Sequence, residues 1–281
     1  MNAPDRRTAL RAGLAVLGTA ATSAGLAACS GGSGNSGSSR SSSGSGTHAP
    51  GAGATGGARS ASPSAPANPT NPAAPTNPAG TAGAPEVDHA ISGRAQVALT
   101  FHGDGDPKLA QALLKEAEAN QARLTVLAVG RWLGAHPEMA RRVLDGGHEL
   151  GNHTENHVDI SHLAPAAAFT EIQACAARLK RLTGSEGVWF RPSQTQHANP
   201  MLVEQARRAG YRTVLSYDVD PLDYEDPSAS AIATRLLAAA HPGAVVSLHL
   251  GHPHTVAALP AVLDGLKSRG LAAVTASELF S

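Results

Sequence analysis

The chain has 281 residues, of which 42% are hydrophobic, 16% are charged and only 3% are aromatic. Its 22 basic and 22 acidic side chains cancel, so the net charge indicates neither a nucleic-acid partner nor an electrostatic membrane patch. The length allows one large folded domain or two small ones.

Residues 1–28 have the pattern of an export signal. Arg6-Arg7 precedes an Ala-rich stretch that ends in Leu26-Ala-Ala-Cys29. This box resembles that of bacterial lipoproteins, in which the Cys becomes the lipidated first residue, and the paired arginines resemble a twin-arginine signal. We expect a signal peptide over residues 1–28 and an exported lipoprotein, held at the outer face of the cell membrane through Cys29. An ordinary secretory signal with an incidental Cys29 is the alternative.

Residues 29–85 are predicted to form a disordered linker. They are almost wholly Gly, Ser, Ala, Pro, Thr and Asn. Such a stretch buries too little apolar surface to offset the entropy lost on ordering.

Residues 86–281 alternate between strand-like and helix-like patterns, which predicts a parallel α/β sheet. Predicted strands cover residues 96–101, 124–129, 148–152, 188–190, 213–217, 244–248 and 271–274, and predicted helices cover residues 107–120, 137–144, 164–182, 200–209, 228–240 and 256–268. Polar groups follow several different strands, which favours a closed TIM-like barrel over an open, doubly wound sheet. Cys175 lies on a predicted Ala-rich helix and is expected to be a core residue.

His153 and His157 are four residues apart, a spacing that places both imidazoles on one side of a helical turn, where they can bind one divalent ion. A zinc-protease motif would require Glu in place of Thr154, so the spacing indicates metal binding without that mechanism. A chance pairing on the surface is the alternative.

The run from Gly147 to His157 (Gly-His-Glu-Leu-Gly-Asn-His-Thr-Glu-Asn-His) resembles the second motif of the polysaccharide deacetylase family. That family is also known as carbohydrate esterase family four, or the NodB-homology domain. Phe190-Arg-Pro192 resembles its third motif, Asp220 to Tyr224 its fourth, and Ser247-Leu-His249 its fifth. The resemblance covers nearly all of residues 96–281. It implies a distorted barrel of about seven β/α units that uses a divalent metal to remove acetyl groups from sugars.

The resemblance also implies roles for individual residues. His153 and His157 would hold the metal, which we expect to be zinc, and His249 would be the catalytic acid. Asp223 would hydrogen-bond His249 and favour its protonated form. A strand-end histidine with a satisfied hydrogen bond, and an Asp that caps the next helix, are the simpler interpretations of the last two.

Three further residues have expected roles. Arg191 would orient a carboxylate in the site, although a structural ion pair is the alternative. The backbone amide of Gln194 would help to bind the oxyanion. Tyr224 stands where the family usually has Trp and would keep an aromatic wall for the sugar.

The first motif departs from the family pattern of Thr-Phe-Asp-Asp-Gly, in which the first Asp is the base and the second a metal ligand. This chain reads Thr100-Phe-His-Gly-Asp-Gly-Asp-Pro107. Without a gap, His102 replaces the base and Gly103 replaces the ligand. With one inserted residue, Asp104 matches the ligand and only the base is lost.

Three hypotheses follow from this departure. His102 enters the metal site and completes a three-histidine set, which suits zinc. Alternatively, Asp104 reaches back as ligand or base and pairs with Arg191. In the third, hydrolysis is lost and the domain is a catalytically silent glycan-binding or scaffolding lipoprotein. The leading prediction is a hydrolase of acetylated amino sugars in peptidoglycan or a related polysaccharide.

Overall fold

The computed structural model describes residues 85–91 and 93–281. The predicted signal peptide, the predicted lipidation site Cys29 and nearly all of the predicted linker lie outside the described residues. Within the described part of the chain, every helix is too short or too polar to cross a membrane.

Short parallel strands alternate with helices along the described chain. The strands are β1 (Glu86–Val87), β2 (Gln96–Gly103), β3 (Thr125–Ala128), β4 (Glu149–Asn152), β5 (Val214–Leu215), β6 (Val245–His249) and β7 (Ala272–Val274). The helices are α1 (Pro107–Ala119), α2 (Gly130–Ala135), α3 (Glu138–Asp145), α4 (Pro165–Thr183), α5 (Pro200–Arg208), α6 (Ala229–Ala239), α7 (Pro253–Ser268) and α8 (Ala276–Leu279).

The strands form the distorted parallel barrel that the sequence predicts. One sheet has the order β4-β3-β2-β6, with β7 paired to the beginning of β2, and β1 pairs with β5. Single bridges from Asn152 to Phe190 and from Phe190 to Val214 join β4 to β5. A bridge from Val219 to Val246 then returns to β6, so the ring of strands closes.

β2 lies at the centre of the larger sheet, and this position explains why its residues are mostly apolar. Val97, Ala98, Leu99 and Phe101 are completely buried. A parallel strand that is covered on both faces has no polar alternation. Cys175 is also fully buried, its thiol donates to Ala128 O at 3.4 Å, and burial raises its pKa to about 12, so the prediction of a core cysteine is confirmed.

One local prediction was wrong, and one helix was not predicted. The segment 188–190 contributes single bridges at Phe190 instead of a continuous strand, because Pro192 has no N–H with which to extend a ladder. α2 was not predicted, since six residues that begin with glycine are too few to show a helical period.

Candidate active site

Three histidines converge at the carboxyl ends of β2 and β4. His102 is the penultimate residue of β2, His153 directly follows β4, and His157 lies in the loop beyond. One ligand-capable atom from each lies within 4.8 Å of the others. The ring centroids of His102 and His153 are 4.3 Å apart, and those of His153 and His157 are 4.9 Å apart.

His153 is oriented by its own hydrogen bond. Its Nδ1 lies 2.9 Å from the carbonyl oxygen of Arg191, a contact in which the nitrogen must be the donor. The proton is therefore on Nδ1, and Nε2 carries a lone pair. That Nε2 is buried and has no hydrogen-bond partner among the described residues. A buried acceptor without a partner, directed at two other imidazoles, is what a metal ligand requires.

The environment lowers the pKa of all three histidines, which favours their neutral forms. Burial, followed by the neighbouring His153 and His249, lowers the pKa of His102 well below its usual value. Burial and His157 do the same for His153, and burial lowers the pKa of His157. Neutral imidazoles are the form that binds a metal. Three nitrogen donors beside an open cleft fit zinc with one position left for water or substrate.

The pair His153 and His157 does not lie on a helix, which corrects the helical-turn interpretation of its spacing. Thr154 and His157 both adopt positive φ, at 69° and 56°, so the loop folds back sharply. Asn152 Oδ1 accepts from Thr154 N at 2.8 Å, and Thr154 Oγ1 accepts from His157 N at 3.1 Å. These bonds hold a costly backbone conformation that brings the second ring to the first.

His249 lies beside the three histidines. It is the β6 partner of His102 in the strand register, and the ring centroids of the two are 4.4 Å apart. Its Nδ1 lies 2.7 Å from Asp223 Oδ1. Asp223 Oδ2 accepts from His249 N at 2.8 Å and from Thr255 Oγ1 at 2.7 Å.

Asp223 is fully buried, and its carboxylate is hydrogen-bonded to His249. The simpler interpretation, in which it caps the next helix, is excluded because Ser228 caps α6 through a bond from Ala231 N. The carboxylate therefore fixes the orientation of the His249 ring.

Arg191 does not have the carboxylate partner that we expected. It is completely buried, and its guanidinium donates to Leu215 O at 2.9 Å, Thr100 Oγ1 at 2.8 Å and Ser216 O at 3.0 Å. The guanidinium also lies 5.2 Å from the centre of the Tyr217 ring, and burial lowers its pKa to about 9. Arg191 therefore joins the strands β2 and β5 in place of orienting a carboxylate.

Asp104 also differs from one hypothesis, because its ion pair is with Arg131 at 2.9 Å instead of Arg191. Its side chain is 40% exposed, and it lies outside the three-histidine group. The chain turns outward after Gly103, and Asp104 Oδ1 accepts from Gly105 N. The expected catalytic role of Asp104 stays a prediction.

A cleft of about 400 Å³ opens beside the histidines. Its walls are His102, His157, Gln194, Thr195, Gln196, Tyr217, Asp220, Tyr224, Ser247 and His249. Tyr224 is 50% exposed and its ring centroid lies 5.6 Å from that of His249, in the position of the expected aromatic wall. Gln194 has a positive φ of 58°, and its Nε2 donates to His157 O at 2.8 Å.

Sequence reasoning missed Tyr217 and Asp220 as parts of the cleft. In the sequence, Asp220 falls within the fourth motif without a predicted role, and Tyr217 ends a predicted strand. Both lie just beyond β5, where polar residues of a parallel barrel reach the site face. The position of these two residues after a predicted strand is the sequence signal that could have identified them as cleft residues.

The chain is similar in sequence to known proteins. Residues 90–214 match the family model described as "Polysaccharide deacetylase". A peptidoglycan-N-acetylglucosamine deacetylase of Bacillus cereus is 33% identical over 188 residues, covering 66% of this chain and 87% of the relative. A chitooligosaccharide deacetylase of Bradyrhizobium is 30% identical over 203 residues, covering 64% of this chain and 88% of the relative.

The fold has solved counterparts. A carbohydrate esterase family four pseudoenzyme from Bacillus anthracis superposes with a TM-score of 0.66 at 22% identity, covering 70% of this chain and 69% of that one. At this identity the likeness concerns the fold alone. Together with the sequence relatives, these findings identify the chain as a member of the polysaccharide deacetylase family.

Proposed function

We propose that the protein is an exported, zinc-dependent hydrolase that removes acetyl groups from amino sugars of peptidoglycan or a related polysaccharide. The observation that carries the proposal is the grouping of His102, His153 and His157 beside an open cleft that His249, paired with Asp223, also lines. The names of the relatives, which are deacetylases of peptidoglycan and chitooligosaccharide, support an acetylated amino sugar as substrate.

His102, His153 and His157 would hold the zinc. When bound, zinc would polarise the acetyl carbonyl and lower the pKa of a water molecule. His249 would donate a proton to the leaving amine, with Asp223 fixing its ring. The backbone amide of Gln194 would bind the oxyanion, and Tyr224 would pack against the sugar ring.

The cleft suits a short stretch of sugar chain. Trp132 and Trp189 are 3% and 1% exposed, which leaves Tyr224 as the exposed large aromatic side chain among the described residues. Extended stacking of a long polymer needs several aromatic platforms, which this cleft lacks. We therefore propose recognition of a few sugar units around the acetyl group.

The sequence before the domain supports a location at the cell envelope. We propose a signal peptide over residues 1–28, a lipid on Cys29, a linker to residue 85 and the deacetylase domain over residues 86–281. This arrangement would present the cleft to cell-wall glycan from a membrane anchor.

A second candidate function is a catalytically silent glycan-binding or scaffolding lipoprotein. It is favoured by the first motif, where His102 and Gly103 stand in place of the two family aspartates.

Acetate release separates the two candidates. We expect the zinc-loaded protein to release acetate from acetylated chitooligosaccharides or peptidoglycan, and His249→Ala to reduce kcat by at least about 100-fold, because a positioned acid contributes that much. No release above the His249→Ala level, with zinc and several other divalent metals, would support the silent binder.

A further inference from the structure

We propose that Asp220 is the general base of this active site and takes the role that the first motif no longer fills. The inference rests on the proposed function. Asp220 supplies the one carboxylate among the residues that line the cleft.

The other acidic groups near the histidines are already engaged. Asp104 is half-exposed and paired with Arg131. Both oxygens of Asp223 accept hydrogen bonds, and its side chain is completely buried behind His249. Glu155 is paired with Arg178. A base must reach the attacking water directly, which these side chains do not do in this arrangement.

The two carboxylate oxygens of Asp220 have different surroundings. Its Oδ1 accepts from Leu222 N at 2.8 Å, which supports the positive φ of 57° at Leu222. Its Oδ2 has no hydrogen-bond partner among the described residues, and the side chain is half-buried at the cleft wall. The turn therefore fixes the carboxylate while it leaves an acceptor oxygen available.

The surroundings of Asp220 favour proton uptake. Burial, and then the like charges of Asp223 and Glu225, raise its pKa, while the Leu222 amide and His249 oppose the rise. Tyr217, Tyr224 and Arg191 complete the titratable groups that interact with it. A carboxylate with a raised pKa is a stronger base.

In the proposed reaction, the water oxygen bonds to the acetyl carbon, the carbonyl π pair moves to the carbonyl oxygen, and one water proton passes to Asp220. The C=O bond then re-forms and the carbon–nitrogen bond breaks as His249 gives its proton to the leaving nitrogen. The products are acetic acid and the free amino sugar, and solvent returns the proton from Asp220 to His249.

Asp220→Asn tests the role directly, because the Asn Oδ1 still accepts from the Leu222 amide while the basic oxygen is lost. We expect kcat for acetate release to fall at least about 100-fold, with KM, zinc content and Tm unchanged. In the wild-type protein, kcat/KM should fall as the pH drops and Asp220 becomes protonated. The residual activity of Asp220→Asn should lack this acid limb.

Asp226→Asn is the matched control. Asp226 lies in the same segment, is exposed, pairs with His254 at 3.0 Å and has a φ of 56°, which Asn also tolerates. We expect its kcat to be within about twofold of the wild-type value.

The outcomes separate the two proposals. Acetate release that persists within about threefold in Asp220→Asn would overturn the role of Asp220 and leave the proposed function standing. No release by the wild-type protein would overturn both. If Asp220→Asn loses zinc or stability, Asp220→Ala assayed with added formate decides: restored kcat supports a base at this position, and no restoration contradicts it.

Discussion

His102 and Gly103 decide what the first motif contributes to the site. His102 faces the other histidines and pairs in register with His249, whereas Gly103 faces β3. A Cβ added to Gly103 would lie 2.9 Å from Ala128 Cα and 2.9 Å from Val126 Cγ1. Position 103 therefore has no room for a ligand side chain on this backbone. If a metal binds, the first motif can supply its ligand from His102.

This crowding predicts that Gly103→Ala destabilises the protein. An added methyl group must push β2 and β3 apart, because one of the two contacts is with backbone that cannot rotate away. We expect a loss of about 1–3 kcal/mol in the free energy of unfolding, measured by denaturant titration of the metal-free protein. An unchanged midpoint and slope would show that the strands separate without cost and that position 103 can carry a side chain.

At the scale of elements, the alternation of strands and helices was enough to predict the barrel. The buried strand β2 and the long helix α4 both have clear local sequence patterns. The same alternation placed His153, Asp223 and His249 near one another, because the carboxyl ends of parallel strands share one face. The structure brings these three residues to one site.

Details that depend on loop conformation were not predictable. The close pairing of His153 and His157 results from positive φ values that no spacing rule indicates. Asp104 pairs with Arg131 in a loop where Gly105 packs against Gly251, and an added Cβ on Gly105 would lie 2.5 Å from Gly251 Cα. These contacts join segments that are distant in sequence, so local sequence patterns do not predict them.

At the scale of the whole molecule, the proposed anchor has a direct test. If Cys29 carries the lipid, the wild-type protein should partition with membranes and incorporate labelled palmitate. Cys29→Ala should abolish the label and appear outside the membrane fraction, because removal of the acyl chains removes the hydrophobic attachment. Cys175→Ala, which changes the buried thiol, should keep the label. Equal labelling of Cys29→Ala and the wild-type protein would contradict the lipoprotein assignment.

Zinc content is the measurement that tests the central claim most directly, because the proposed chemistry requires a metal held by three imidazoles. Elemental analysis of the purified, zinc-equilibrated protein should give about one zinc per chain, and both His153→Ala and His102→Ala should lose it. Asp104→Ala should retain the metal, since its carboxylate lies outside the three-histidine group. No bound zinc in the wild-type protein, or zinc that is lost in Asp104→Ala but kept in His102→Ala, would contradict the three-histidine site.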